Sequence, residues 1–146
     1  MGQINKQLFF NARIEKVWKI WTDVEKTPEW VEGVQESQIT STIRDGKGVE
    51  WREKCLFGKQ VIQMDHKMTD FEPQKRTVVW TGLPMGGTME STAEFTETSK
   101  ATEVNIQLEW DLGIVGAMIG DDKLHHMMEK SFDQTAAKWK ARAEKA

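Results

Sequence analysis

The stretch NARIEKVWKIWTDVEKTPEW, residues 11–30, holds three of the seven tryptophans in a chain of 146 residues that has no tyrosine. Its apolar residues recur at helical spacing, which predicts an amphipathic helix that begins after Asn11, a good N-cap residue. Thr27 followed by Pro28 predicts the start of a second short helix that carries Trp30. The stretch therefore predicts a bent helix pair, whose inner face would contain Ile14, Val17, Trp18, Trp21 and Val24.

Length and composition narrow the class of protein. We expect one domain over residues 1–146, because that length suits a single core. With 38% hydrophobic and 29% charged residues and no long apolar run, the sequence predicts a soluble chain without an integral membrane segment. The formal net charge of -3, without a basic block, argues against a nucleic acid partner. The single cysteine, Cys55, agrees with a reducing cytoplasm.

Alternating residues between positions 49 and 110 predict antiparallel strands with assignable faces. In GVEWREKCLF, the inner face would hold Trp51, Glu53 and Cys55. Gly58 and Lys59 fit a two-residue hairpin loop, and Ser99 with Lys100 fit another. The face of the strand around Trp80 stays ambiguous. The strands after the first loop and near the last hairpin would turn inward Ile62, Met64, His66, Met68, Phe95, Leu108 and Trp110.

The first of these loops predicts a register that brings two ionisable side chains together. Glu53 would lie opposite Met64, so that His66 becomes its diagonal neighbour on the inner face. Such a pair could anchor a ligand or transfer protons, or it could be purely structural. The same register places Cys55 about 13 Å along the strands from His66, which excludes a cysteine–histidine dyad.

The C-terminal segment predicts a long amphipathic helix over residues 122–145. Its apolar stripe includes two hydroxyl side chains, Ser131 and Thr135, which fit a face that partly borders a cavity. His125 and His126 point about 100° apart on this helix, so they do not form a zinc pair, and we expect no metal and no other cofactor. The rest of the stripe is Leu124, Met128, Phe132 and Trp139.

The order of these elements, with N-A-R-I-E-K-V-W-K-I-W-T-D near the start and K-W-K-A-R-A-E near the end, resembles the START-like superfamily. This superfamily is also called SRPBCC or polyketide cyclase/dehydrase-like. The resemblance implies an α+β helix-grip fold: a curved antiparallel sheet of about 6–7 strands wrapped around a long C-terminal helix, with two short helices after the first strand. Its members bind lipids, hormones and polyketides, and some are enzymes, so the resemblance indicates fold more than chemistry.

Three functions follow as hypotheses. The first is binding of a small, largely hydrophobic molecule between the sheet and the C-terminal helix. The second is a cyclase or dehydratase-like enzyme with Glu53 and His66 as catalytic residues, although the absence of tyrosine removes a frequent proton donor. The third is a chaperone- or ribosome-associated interaction protein. The predicted ligand-binding residues are Trp51, Cys55, Met64, Met68, Met89, Ser91, Phe95, Leu108, Trp110, Leu124, Met128, Ser131, Phe132 and Thr135.

Overall fold

The computed structural model describes residues 2–145, whose seven strands form one antiparallel sheet in the order β1-β7-β6-β5-β4-β3-β2. Each strand after β2 pairs with its predecessor in the chain, and β1 joins the edge beside β7. The strands are β1 Gly2–Phe10, β2 Val34–Ile39, β3 Glu50–Phe57, β4 Gln60–Glu72, β5 Arg76–Gly82, β6 Thr88–Thr98 and β7 Ala101–Asp111.

The helical elements are α1 Ile14–Thr22, a short 3-10 helix Val24–Glu29, a single 3-10 turn Pro84–Gly86 between β5 and β6, α2 Ile114–Ile119 and α3 Asp121–Glu144. The long helix α3 contacts β1, α1 and α2, and its Trp139 is only 1% exposed. The curved sheet with a long C-terminal helix confirms the predicted helix-grip architecture. Together with the two short helical elements between β1 and β2, it also confirms the predicted order of elements.

Both predicted helix starts in the opening stretch are wrong. Helix α1 has Arg13, not Asn11, at its N-cap position, and the backbone N–H of Ile14 donates to the carboxylate of Glu97 from β6. The 3-10 helix begins at Val24, so Thr27 and Pro28 lie inside it instead of opening it. An acidic side chain from a strand distant in sequence thus accepts a hydrogen bond from the N-terminus of α1. The sequence predicted a local N-cap residue in this role.

The two tight hairpins and the predicted register are confirmed. Phe57 pairs with Gln60 across the Gly58–Lys59 loop, and Gly58 takes the positive φ that a glycine in this loop tolerates. The loop places Glu53 opposite Met64 and Cys55 opposite Ile62. All alternate residues of β3 therefore face as predicted, which directs Glu53 toward the interior.

The tryptophans of the opening stretch belong to an aromatic cluster around Trp139. The ring of Trp139 stacks on Trp21 at 4.9 Å and lies 5.5 Å from Trp30 and 4.8 Å from Phe10, centroid to centroid. Trp18 contacts Phe95 edge-on at 4.9 Å. Aromatic rings bury large areas and prefer such tilted or offset contacts, so this cluster anchors α3 to the helix pair and the sheet.

Candidate ligand cavity

A cavity of about 240 Å³ lies between the sheet, the 3-10 helix region and α3. Its walls are mostly apolar, with tryptophan and methionine prominent. The sheet contributes Val34, Trp51, Glu53, Met64, His66, Met68, Val79, Thr81, Met89, Ser91 and Leu108. The helices and the segment after the 3-10 helix contribute Trp21, Val24, Thr27, Trp30, Val31, Met128, Ser131, Phe132 and Thr135.

Most of the residues predicted to form the site come together in this cavity. The pair Glu53 and His66 lies in its wall beside Trp51. The other predicted residues found there are Met64, Met68, Met89, Ser91, Leu108, Met128, Ser131, Phe132 and Thr135.

Four predicted lining residues do not line the cavity. Phe95 is enclosed by the aromatic cluster, where it contacts Trp18. Trp110 and Leu124 belong instead to a separate apolar cluster with Ile4 of β1 and Leu112. Cys55 faces the inner side of β3 but beyond the cavity wall, with its thiol sulfur 3.7 Å from the carbonyl oxygen of Leu56.

Several cavity residues were not among the predicted site residues. Val79 and Thr81 belong to β5, whose inner face becomes clear only because Trp80 points outward and is 40% exposed. Trp21 and Trp30, which fit a plain core from the sequence, line the cavity as well as packing on Trp139. Helical spacing predicted an inward Val24, and Val34 begins β2. Periodicity cannot identify the other two, Thr27 and Val31, because they lie in or just after a short 3-10 helix.

A continuous chain of hydrogen bonds crosses the cavity wall. The Nε2 atom of His66 lies 2.7 Å from Oε1 of Glu53, and Nδ1 lies 2.7 Å from the hydroxyl oxygen of Thr81. The hydroxyl of Thr27 donates to the other oxygen of Glu53 at 2.6 Å. The imidazole also stacks on Trp51, with centroids 5.0 Å apart. Since Glu53 is 5% and His66 8% exposed, water barely screens the electrostatic interactions within this series of hydrogen bonds.

When Glu53 is ionised, its hydrogen bond to His66 determines the tautomer of the imidazole. An ionised carboxylate only accepts hydrogen bonds, so Nε2 carries a proton and donates to Glu53. In the neutral ring, Nδ1 then accepts from the hydroxyl of Thr81. Both ring nitrogens and both oxygens of Glu53 thus have protein partners. A ligand that uses His66 directly must displace Thr81 or Glu53.

Cys55 is not a nucleophile in this arrangement. Burial, with a smaller contribution from the nearby carboxylate of Glu53, raises the pKa of its thiol from 9.0 to about 11. The thiol stays protonated at neutral pH. Because Cys55 pairs with Ile62 and Trp51 with His66, the observed register also excludes the cysteine–histidine dyad, as predicted.

Polar contacts between the Trp30–Gly33 segment and α3 close one side of the cavity. The backbone N–H of Glu32 donates to the hydroxyl of Thr135 at 2.9 Å. Lys138 pairs with the carboxylate of Glu32 at 2.6 Å, and Arg142 pairs with Glu29 at 3.2 Å. We call the Glu32–Thr135 and Glu32–Lys138 contacts the rim latch. They join the segment next to Val31 to α3 at Thr135, and both of these residues line the cavity.

A larger groove of about 500 Å³ lies outside this wall, and Trp30 lines both spaces. The groove is basic, and three of its cations already have partners: Lys26 and Arg142 pair with Glu29, and Lys16 donates to the carbonyl of Lys145. Such a solvated charged surface is a weaker candidate for a specific site than the mostly apolar cavity. The remaining lining residues are Lys19, Ile20 and Asp23.

Residues 2–145 contain neither a helix suited to span a membrane nor a group of side chains suited to hold a metal ion. No helix in this range is both long and apolar enough to cross a bilayer. In the same part of the chain, no group of three or more histidine, cysteine, aspartate or glutamate side chains is placed to hold a metal ion.

A family profile described as polyketide cyclase / dehydrase and lipid transport matches residues 1–144. The chain belongs to this family. The sequence has no significant match among curated proteins. Because the match covers nearly the whole chain, it identifies the family and confirms the predicted START-like resemblance. The match names no substrate or ligand for this chain.

Solved structures similar to this member of the polyketide cyclase / dehydrase and lipid transport family share its fold. A conserved protein from Geobacillus kaustophilus aligns with a TM-score of 0.81 and 15% identity, over 97% of this chain and 95% of that one. A START superfamily protein from Mycobacterium smegmatis gives 0.74 and 16%, over 97% of each chain. The Zhui aromatase/cyclase from Streptomyces sp. R1128 gives 0.75 and 12%, over 97% and 90%. At these identities the similarity shows the fold alone.

Proposed function

We propose that the protein binds a small, largely hydrophobic molecule in the cavity between the sheet and α3. The observation that carries this proposal is the space of about 240 Å³ between sheet and helix with mainly aromatic and aliphatic walls. That volume equals about eight water molecules at liquid density, so it suits a compact ligand of one or two rings. The family description, which includes lipid transport, supports the same class of ligand.

The first experiment identifies what the cavity takes up. Mass spectrometry of small molecules that co-purify with the protein would name candidate ligands. Each candidate and a panel of apolar ring compounds are then tested for quenching of tryptophan emission and for a rise in melting temperature, because a molecule that binds only the folded form stabilises it. Trp21, Trp30 and Trp51 line the cavity and would report occupancy. If no compound changes either signal, the cavity proposal fails and a surface interaction becomes the better hypothesis.

A second candidate function, an enzyme of the cyclase or dehydratase type, is favoured by the buried Glu53–His66 pair. Carboxylate and imidazole groups held within hydrogen-bond distance can transfer protons to and from an enclosed carbonyl substrate. The aromatase/cyclase among the structural neighbours adds analogy but no residue correspondence. In this hypothesis the substrate displaces Thr81 from Nδ1 of His66, because both ring nitrogens are otherwise occupied.

Substitution of the pair separates the two functions. Glu53→Gln or His66→Ala should leave the affinity for neutral apolar ligands within about tenfold if the protein is a binder. An enzyme that relies on the pair for general acid and base catalysis should lose about a hundredfold or more in rate.

We also propose that the protein acts in the cytoplasm, because its single cysteine, Cys55, is free and suits a reducing compartment.

A further inference from the structure

The charges in the cavity wall restrict the kind of ligand that fits. Among the cavity-lining residues described in the structure, Glu53 is the acid and His66 the only potential cation, with no lysine or arginine beside them. Both oxygens of Glu53 already accept hydrogen bonds, from His66 and Thr27. An added anion would therefore find no free cation, and an added cation would compete with His66 and Thr27 for the carboxylate of Glu53.

A ligand carboxylate would bind poorly in this cavity for two reasons. It would lose its hydration shell without gaining a cationic partner. It would also share a poorly screened wall with the carboxylate of Glu53, and like charges repel strongly where water is excluded. The wall therefore discriminates against free carboxylic acids in their ionised form.

Two buried indole groups indicate what a ligand can offer instead. The Nε1–H donors of Trp30 and Trp51 have no hydrogen-bond acceptor among the described residues, and both side chains line the cavity. Buried N–H donors in native proteins nearly always have a partner. The Nε1 atoms are themselves enclosed, so an acceptor oxygen on a bound ligand would supply a partner once either ring turns its N–H toward the cavity.

We propose that the ligand is uncharged and carries a hydrogen-bond acceptor, such as a ketone, ester or lactone carbonyl, on an otherwise apolar frame. This inference rests on the proposed function, namely that the cavity takes up a small apolar molecule. It adds that the carbonyl oxygen accepts from the indole of Trp51 or Trp30, and that the ionised acid of the same shape is rejected.

Three naphthalene derivatives of matched shape test this inference: isopropylnaphthalene, acetylnaphthalene and naphthoate, substituted at the same ring position. They have equal numbers of non-hydrogen atoms and differ in polarity and charge. By calorimetric titration at neutral pH, acetylnaphthalene should bind at least about fivefold tighter than the isopropyl compound and at least about tenfold tighter than naphthoate. Equal or tighter binding of naphthoate would overturn the inference. If none of the three binds, the cavity proposal itself fails, and the inference with it.

Matched variants assign the discrimination to named side chains. Glu53→Gln should raise the affinity for naphthoate relative to acetylnaphthalene by about tenfold, whereas Glu50→Gln, on the outward face of the same strand, should leave that ratio unchanged. Trp51→Phe should bring the acetyl and isopropyl compounds within about twofold, with the exposed Trp80→Phe as its control. If Trp51→Phe keeps the full preference, Trp30→Phe must remove it, or the indole assignment is wrong. Circular dichroism verifies that each variant is folded. If Glu53→Gln is not folded, the ratios of the three affinities measured with the wild-type protein still decide the proposal.

Discussion

At the scale of single residues, Thr27 joins the helical wall of the cavity to the sheet. Its hydroxyl lies 2.6 Å from the carboxylate of Glu53 and 3.1 Å from the carbonyl oxygen of Val24. Hydrogen bonds to a buried carboxylate contribute more to stability than those between neutral groups, because the charge has few alternative partners. Thr27 is therefore the residue whose loss should most directly affect Glu53.

Thr27→Val keeps the shape of the side chain but removes this donor. We expect the free energy of unfolding to fall by about 1.5–3 kcal/mol, because one oxygen of a buried carboxylate loses its partner. Urea unfolding followed by tryptophan fluorescence measures the change. Thr40→Val, at an exposed position after β2, is the matched control and should change stability by less than about 0.5 kcal/mol. Equal midpoints for both variants would contradict the role assigned to Thr27.

The raised pKa of Cys55 predicts slow alkylation. Since burial, with Glu53 adding to it, raises the pKa from 9.0 to about 11, the thiolate fraction near pH 8 should be about a hundredfold lower than for an ordinary thiol. Iodoacetamide should therefore react about a hundredfold more slowly with the folded chain than with the same chain in urea. The difference should shrink as the pH rises toward 11. Glu53→Gln should speed the folded reaction only modestly, because burial is the larger cause.

The sequence predicts half of the polar chain and misses the other half for a physical reason. Glu53 and His66 lie on strands joined by a two-residue loop, so local turn geometry fixes their relative position. Thr27 reaches Glu53 from a 3-10 helix that has no register with β3. Thr81 lies opposite His66 on β5. The sequence does not show whether Thr81 points inward, because the side of the sheet that Trp80 faces is ambiguous.

At the scale of elements, α3 is held mainly by one side chain near its C-terminal end. Trp139 lies among rings from β1, α1 and β6, and its indole N–H donates to the carbonyl of Val17 at 3.3 Å. By contrast, Leu124 anchors the other end of the helix in a smaller cluster. Loss of Trp139 should therefore loosen α3 from the helix pair first.

Trp139→Ala should lower the free energy of unfolding by about 3–5 kcal/mol, because a large buried ring leaves a void that its neighbours cannot fill. Trp139→Phe should lower it by less and keeps the test measurable if the alanine variant is largely unfolded. Trp80→Ala is the matched control, since Trp80 faces outward, and we expect an effect below about 1 kcal/mol. Urea unfolding of the three variants gives the comparison, and similar losses for Trp139→Ala and Trp80→Ala would be inconsistent with this packing.

Element types are predictable here, but their ends are less so. Helical spacing predicts α1 and α3 because each has a continuous apolar stripe. The start of α1 depends on Glu97, which is distant in sequence and reaches Ile14 only after β6 has folded against the helix. A local cap such as Asn11 was a reasonable prediction, yet the long-range partner replaced it.

At the scale of the whole molecule, the decisive property is that the interior is not filled by its own side chains. The cavity persists although three methionines from the sheet and one from α3 reach it: Met64, Met68, Met89 and Met128. Flexible thioethers can adapt to ligands of different outline. The cavity volume depends on the distance between the sheet and α3, which the periodicity of a sequence does not encode. The hydrophobic pattern therefore predicted most wall residues but not the size of the cavity.

Filling the cavity should abolish binding without unfolding the protein. Ser91→Phe places a ring in the space from β6, and we expect it to remove the ligand-induced rise in melting temperature. In the unmodified chain that rise should be roughly 5–10 °C at a hundredfold excess over Kd. Thr92→Phe, the next residue on the opposite face of β6, is the control and should keep the full rise. Differential scanning calorimetry with and without ligand decides; an undiminished rise in Ser91→Phe would place the ligand elsewhere.

For a ligand that enters past the rim latch, the latch would affect the rate of exchange more than the affinity. Its polar contacts, from Glu32 to Thr135 and Lys138, lie at the edge of the cavity and contribute little apolar area to a bound molecule. Because any ligand that passes between Val31 and Thr135 must first break them, they act as a kinetic barrier common to entry and departure. A change at the latch would then alter association and dissociation by the same factor. Residence time could vary widely while the equilibrium constant stays constant.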